Sequence, residues 1–193
     1  MHILAGEFKG RTLLSPPGRS QTRPITGLAK KSLFDMLGSR LDGACVVDLY
    51  CGTGTMGLEA LSRGAALCCF AERDAAVLAR LRRNIQTLGA DGRSRVWAGD
   101  IPRRLAGWLA GLERAVDVAF VDPPYAESRQ WDWPLETRRI FDPLAERLSE
   151  DGVVVLRLGG RGQPPDRLGR LATTRVRQYG DMTVALLATA SSR

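Results

Sequence analysis

From Ala44 onward the chain alternates short apolar runs with stretches of helical periodicity, and this rhythm constrains the fold more than any other feature. Strands are predicted at 45–50 (CVVDLY), 67–72 (LCCFAE), 95–100 (RVWAGD), 116–122 (VDVAFVD) and 152–158 (GVVVLRL). Helices are predicted near 55–63, 75–88, 102–112 and 135–148. In 75–88, Val77, Leu78, Leu81, Ile85 and Leu88 recur at helical spacing, with Arg80, Arg82 and Arg83 interleaved. Strands alternating with helices require crossover connections, hence parallel β-α-β units in a doubly wound α/β sheet. Strands this continuously apolar belong in a sheet covered on both faces. The end breaks the rhythm. Residues 174–181 (TRVRQYGD) run into 182–189 (MTVALLAT) across Gly180–Asp181, too short a link for a parallel crossover. The last two strands therefore form an antiparallel hairpin. The turn-rich stretch 159–165 (GGRGQPP) is expected to lead into a short helix.

Residues 1–43 read as an extension to a main domain at 44–193. The segment HILAGEFKGRTLLSP suggests two short strands joined near Gly6 or Gly10. A basic, proline-containing loop follows, then a helix whose apolar face is assigned to Leu28, Leu33, Phe34 and Leu37. Residues 1–40 carry +5 of the chain's net +7 charge, and all three lysines lie there. A basic arm on a near-neutral domain points to a polyanion partner. Lys9, Arg11, Arg19 and Arg23 are the candidate RNA contacts. No apolar run is long enough to span a membrane and no apolar leader opens the chain, so a cytoplasmic protein is expected. Cys45, Cys51, Cys68 and Cys69 form no C-x-x-C pair and the one histidine is His2, so no metal site is expected and the thiols read as free and buried. Chemistry that relies on histidine is nearly excluded.

After the first strand comes DLYCGTGTMGLEAL. Its Gly52-x-Gly54-x-x-Gly57 spacing matches the dinucleotide fingerprint, with Glu72 twenty residues after Gly52 at the next strand's end. Glycines let a backbone approach a ligand, and a carboxylate at that strand end suits a ribose diol. A dinucleotide places its pyrophosphate on the helix N-terminus. S-adenosylmethionine has no phosphate and carries an ammonium, which suits Asp48 before the loop. Asp100, ending the third strand, is placed to accept from the adenine amine. Carboxylates at three successive strand ends favour S-adenosylmethionine over NAD.

The fourth strand ends in Asp122-Pro123-Pro124-Tyr125. If strands one and four are neighbours, this tetrapeptide stands at the topological switch point where ligands bind. An exocyclic amine on a nucleobase is a poor nucleophile, because its lone pair is delocalised into the ring. The Asp122 carboxylate and Pro123 carbonyl are acceptors for its hydrogens, and the prolines preorganise them. Tyr125 offers a flat face to an extruded base.

The glycine loop and the D-P-P-Y tetrapeptide resemble class I S-adenosylmethionine-dependent amino-methyltransferases. With LAGEFKGRTL, TRPITGLAKKSLFDML, DLYCGTGTMGLEALSRGA and YGDMTVAL, the chain looks like the RsmD type, which methylates N2 of a guanine in small-subunit (16S) ribosomal RNA. The resemblance covers nearly the full chain. It implies a Rossmann-like, seven-stranded, mostly parallel sheet with an antiparallel C-terminal hairpin. It implies cofactor contacts from Asp48, from Cys51, Gly52, Thr53, Gly54 and Met56, and from Glu72, Arg73, Asp100 and Ile101. Asp122, Pro123, Pro124 and Tyr125 are then the catalytic set. Ribosomal RNA or a small-subunit assembly particle is the implied partner of a monomer. One departure lies in the N-terminal helix. The family pattern T-x-D-R-V-R-E-A-L-F is met here by Gly27, Leu28 and Lys31 in place of its acid, first arginine and glutamate. D-P-P-Y also serves N6-adenine and protein-glutamine methyltransferases, and a non-catalytic RNA-binding assembly factor is a third reading.

Overall fold

The computed structural model describes residues 1–16, 25–160 and 162–189. A helix, α1 (Gly27–Leu37), precedes β1 (Cys45–Leu49), α2 (Thr55–Ser62), β2 (Leu67–Glu72), α3 (Ala75–Leu88), β3 (Ser94–Ala98), α4 (Ile101–Ala110) and β4 (Val116–Val121). Then come α5 (Tyr125–Ser128), α6 (Trp133–Glu136), α7 (Asp142–Arg147), β5 (Leu148–Gly159), β6 (Arg167–Leu168), β7 (Leu171–Tyr179) and β8 (Met182–Thr189). One sheet runs β3-β2-β1-β4-β5-β8-β7-β6. Its first five strands are parallel, and β8, β7 and β6 are antiparallel additions. The expected β1–β4 adjacency is present, with Leu49 paired to Val121.

Alternate residues of each parallel strand feed two cores. Val46, Cys68, Phe70, Val118 and Phe120 face the N-terminal segment and α1–α3, while Val47, Leu49, Cys69, Ala119 and Val121 face α4 and α7. Cys68 and Cys69 thus point to opposite faces, and all four cysteines are free and buried. Among the described residues, no helix is long and apolar enough to cross a membrane.

Four local expectations need correction. The sheet has eight strands, because the stretch expected to be a short helix is β6, turned back into β7. Leu168 and Leu171 are buried on either side of the turn, and Gly169 takes φ +59° within it. The predicted helix at 135–148 is three pieces, α6, a π turn at Thr137–Phe141 and α7. Pro143, near the start of α7, has no N–H to continue the ladder, so the turn widens.

The two N-terminal strands reduce to a single antiparallel bridge, His2 to Thr12. Ile3 donates to the Arg11 carbonyl and Leu13 to the Met1 carbonyl beside that bridge, but the donors nearer the turn are spent on α2. Leu4 and Ala5 donate to the Glu59 carboxylate at 2.8 and 3.1 Å, Glu7 to the Ser62 carbonyl at 2.7 Å and Phe8 to Ser62 Oγ at 2.9 Å. In α1, Leu33, Phe34 and Leu37 are buried as expected, but Leu28 is 78% exposed and Lys30, at 3% exposed, takes a place on the inner face instead. Lys30 Nζ lies 2.7 Å from Glu59, which also binds Arg63. Burial pushes the Lys30 pKa down and Glu59 opposes it. One acid in α2 thus gathers the N-terminal segment, α1 and α2 into one core.

Candidate active site

The carboxyl ends of β1, β2, β4 and β5 surround a cavity of about 190 Å³. Its lining includes Asp48, Cys51, Gly52, Thr53, Met56, Glu72, Arg73, Asp122 and Pro124 from the predicted set. Met1, Pro16 and Ile25 also line it, so the N-terminal segment forms part of the wall. Arg19 and Arg23 lie outside the described residues. Lys9 and Arg11 are exposed, and Arg11 Nη2 donates to the Thr87 carbonyl at 2.9 Å.

Asp48 is only 1% exposed and lies beneath the start of α2, where its Oδ2 accepts from the Gly57 N–H at 2.8 Å. Its Oδ1 has no hydrogen-bond partner among the described residues. Burial drives its pKa up to about 7, against the pull of the Gly57 N–H, and the nearby Asp122 carboxylate adds to the rise. Gly57 is required by packing. A Cβ there would stand 2.4 Å from the Phe70 ring and 2.5 Å from Cys68 Sγ. Gly54 has φ +88°, and a Cβ would meet Leu81 at 2.5 Å. These two glycines thus let α2 and α3 close onto the sheet.

Glu72 holds the loop from the other side. Its Oε2 accepts from Gly52 N–H at 3.1 Å, and its Oε1 accepts from Arg73 and Asp74 N–H groups at 2.8 and 3.0 Å. Two contributors on this side of the cavity escaped the sequence reading. Asn84 of α3 donates to the Thr53 carbonyl at 2.9 Å and exchanges hydrogen bonds with the Leu14 backbone, tying the loop to the N-terminal segment. Tyr50 adopts φ +58°, and its buried hydroxyl has no partner among the described residues. Thr53 Oγ1 is also buried without a partner there. Asp100 and Ile101 are not among the residues that line the cavity. Asp100 is exposed and caps α4, accepting from Arg103 N–H at 3.1 Å.

On the other side of the cavity, the β4–β5 register continues past Val121 and Leu156 to bring Asp122 beside Arg157. Arg157 Nε donates to Asp122 Oδ1 at 2.5 Å, and the arginine is 8% exposed. Burial raises the Asp122 pKa, and the Arg157 charge and hydrogen bond oppose the rise. Tyr125 opens α5 with its ring laid on Gly159. A Cβ on Gly159 would be 2.3 Å from the ring's Cγ. The Arg157 guanidinium carbon lies 5.8 Å from the ring centroid. Neither Arg157 nor Gly159 was singled out from sequence. The available signals were an arginine inside an apolar strand and a glycine at its end.

A family model described as "Conserved hypothetical protein 95" matches residues 1–188. The chain belongs to this family. It is 34% identical over 186 residues to YlbH of Bacillus subtilis (strain 168), a provisionally named rRNA methyltransferase, covering 96% of this chain and 97% of that protein. It is 36% identical to ribosomal RNA small subunit methyltransferase D of Escherichia coli (strain K12) over 127 residues, 65% of this chain and 60% of that protein. A solved structure, a provisionally named methyltransferase, yhhF, from Escherichia coli, superposes with a TM-score of 0.80 at 27% identity. It covers 100% of this chain and 99% of that one. The family is thus that of small-subunit rRNA methyltransferase D, and the fold is its Rossmann-like methyltransferase fold.

Proposed function

We propose that the protein transfers a methyl group from S-adenosylmethionine to the exocyclic N2 amine of a guanine in small-subunit ribosomal RNA. The observation that carries this reading is the pairing of Asp48 and Asp122 at adjacent strand ends in one cavity. Asp48 Oδ1, buried and without a partner among the described residues, suits an ammonium. Asp48, Glu72 and Asp122 outnumber the Arg73 and Arg157 cations in the lining, which favours a cationic ligand over a pyrophosphate.

The cofactor supplies an electrophilic methyl group on a sulfonium. The chain's own residues bind, orient and exclude water. Asp48 and the loop held by Glu72 position the donor. Asp122 accepts a hydrogen from the target amine and stabilises positive charge as it develops on that nitrogen, an interaction stronger in the transition state than in the ground state. The amine's proton leaves after transfer, when the nitrogen is cationic and acidic, so no strong base is needed. Tyr125, laid on Gly159, offers its ring for stacking to the base on this reading. Lys9 and Arg11 contribute to RNA affinity on this reading. Lys30 does not, since Glu59 neutralises it internally, and Lys31 is paired with Asp35 at 2.7 Å.

The test is labelled methyl transfer to ribosomal subunits, purified RNAs, DNA and protein in parallel, followed by nucleoside analysis. N2-methylguanosine in small-subunit RNA is the expected product. N6-methyladenosine or methylglutamine would replace this reading with the corresponding amino-methyltransferase. No label in any substrate would favour a non-catalytic assembly factor.

A further inference from the structure

An arginine in the middle of VVVLRLGG is an anomaly. The residues around it on β5 are buried and apolar, and placing a guanidinium among them is costly without a counter-ion. The structure supplies one, and it is the aspartate of the D-P-P-Y motif. The same guanidinium lies over the Tyr125 ring, and that ring lies on Gly159, two residues further along β5. One strand thus contacts both ends of the tetrapeptide. The Asp122–Arg157 contact occupies Oδ1, and no described residue donates to Oδ2.

We propose that Arg157 is a positioning residue of the methyl-transfer site, pinning Asp122 through Oδ1 so that Oδ2 is presented to the target amine. This rests on the assignment of Asp122 to that amine. The groups around Asp122 make the need concrete. Asp48 on β1 is a second buried carboxylate in the same cavity, and Glu72 on β2 is a third lining residue. Arg73 of the lining is already paired with Glu127 of α5 at 3.2 Å. Tyr125 follows on α5 and carries no charge at neutral pH. Among the described residues, Arg157 is therefore the cation that offsets Asp122. Without it, two desolvated carboxylates share the cavity and Asp122 takes up a proton. A protonated Asp122 is a poorer acceptor and carries no charge to stabilise the cationic nitrogen.

The experiment is single-turnover methyl transfer to the RNA substrate, with saturating S-adenosylmethionine, across pH 6–9. Wild type, Arg157→Lys and Arg157→Ala are compared, with melting and cofactor affinity measured alongside. Arg157→Ala should be slower by about 10–100-fold at neutral pH, the range for loss of a group that orients a site residue. Its acid limb should move to higher pH, so that raising the pH restores part of the rate. Arg157→Lys should recover most of the rate and the wild-type pH profile, and it remains informative if the alanine variant does not fold. Cofactor affinity should stay within a few-fold of wild type in both. A wild-type rate in Arg157→Ala, or an equal loss at every pH in both variants, overturns the positioning role while leaving methyl transfer intact. A wild-type protein inactive on every RNA overturns the methyl-transfer reading itself, and this inference with it.

Discussion

Asp48 and Asp122 stand at the ends of neighbouring strands and line the same cavity, yet the protein treats them in opposite ways. Both are desolvated and both have raised pKa values. Asp122 carries its own cation in Arg157. Asp48 has one backbone N–H on Oδ2 and nothing on Oδ1 among the described residues. A carboxylate with a built-in partner keeps its charge and orientation between turnovers. A carboxylate without one is destabilised until a ligand brings the missing cation. On this reading, the first is part of the catalytic apparatus and the second is a binding site.

The largest effect that would sharpen this contrast is on rate. Asp122→Ala should slow single-turnover methyl transfer by about 10²–10³-fold, the typical cost of losing one preorganised electrostatic contact. Its melting temperature should also fall, because Arg157 is left buried without its counter-ion. Asp122→Asn should retain more activity, since its carbonyl still accepts a hydrogen bond. A wild-type rate in Asp122→Ala would remove Asp122 from the chemistry.

The second test concerns stability and has the opposite sign at Asp48. With a folded pKa near 7 and an unfolded value near 4, this group costs nothing below about pH 4, where both states are protonated. The cost grows as pH rises and is complete above about pH 7. Asp48→Asn should therefore melt higher than wild type at pH 8, by up to about 4 kcal/mol of stability, with little difference at pH 4. A destabilised Asp48→Asn at pH 8 would break the contrast. By the same logic, S-adenosylmethionine affinity should fall as pH drops below about 7, by up to about tenfold per unit. A flat profile between pH 8 and 6 would contradict the ammonium assignment.

Gly159→Ala comes next. Its Cβ would intrude on the Tyr125 ring, so the variant should lose rate about as Tyr125→Ala does while cofactor affinity is kept. Tyr125→Phe should be mild. The smallest effect is expected at the surface. Neutralising Lys9 and Arg11 together should reduce the salt slope of RNA binding by about 0.7–0.9 per lost phosphate contact, with cofactor binding unaffected. An unchanged slope would move the RNA interface elsewhere.

What the sequence made legible follows from the range of the interactions involved. The parallel core could be read because buried strands are continuous apolar runs and the glycine loop is local. The C-terminal hairpin could be read from the short link at Gly180–Asp181. Arg157 could not be assigned to Asp122 without the β4–β5 register, which joins residues 35 apart. Leu33, Phe34 and Leu37 of the α1 face were legible, but Lys30 was missed because a lysine on a helix ordinarily marks the solvent side, and the distant Glu59 makes it an interior residue. The Gly169 hairpin was missed because two buried leucines flanking a glycine are too short a signal to separate a two-residue strand from a helical turn. That Asp100 also caps the helix that follows it, accepting from Arg103 N–H, could not be read from its position at a strand end alone.

Calorimetric titration of S-adenosylmethionine into wild type, Asp48→Asn and Asp122→Ala at pH 8 separates the two carboxylates most directly. Wild type and Asp122→Ala should bind within a few-fold of each other. Asp48→Asn should bind about 10–100-fold more weakly, the range of about 1.5–3 kcal/mol for a hydrogen bond to a charged group. Equal loss in both variants, or binding of NAD in place of S-adenosylmethionine by wild type, would contradict the division of roles between Asp48 and Asp122.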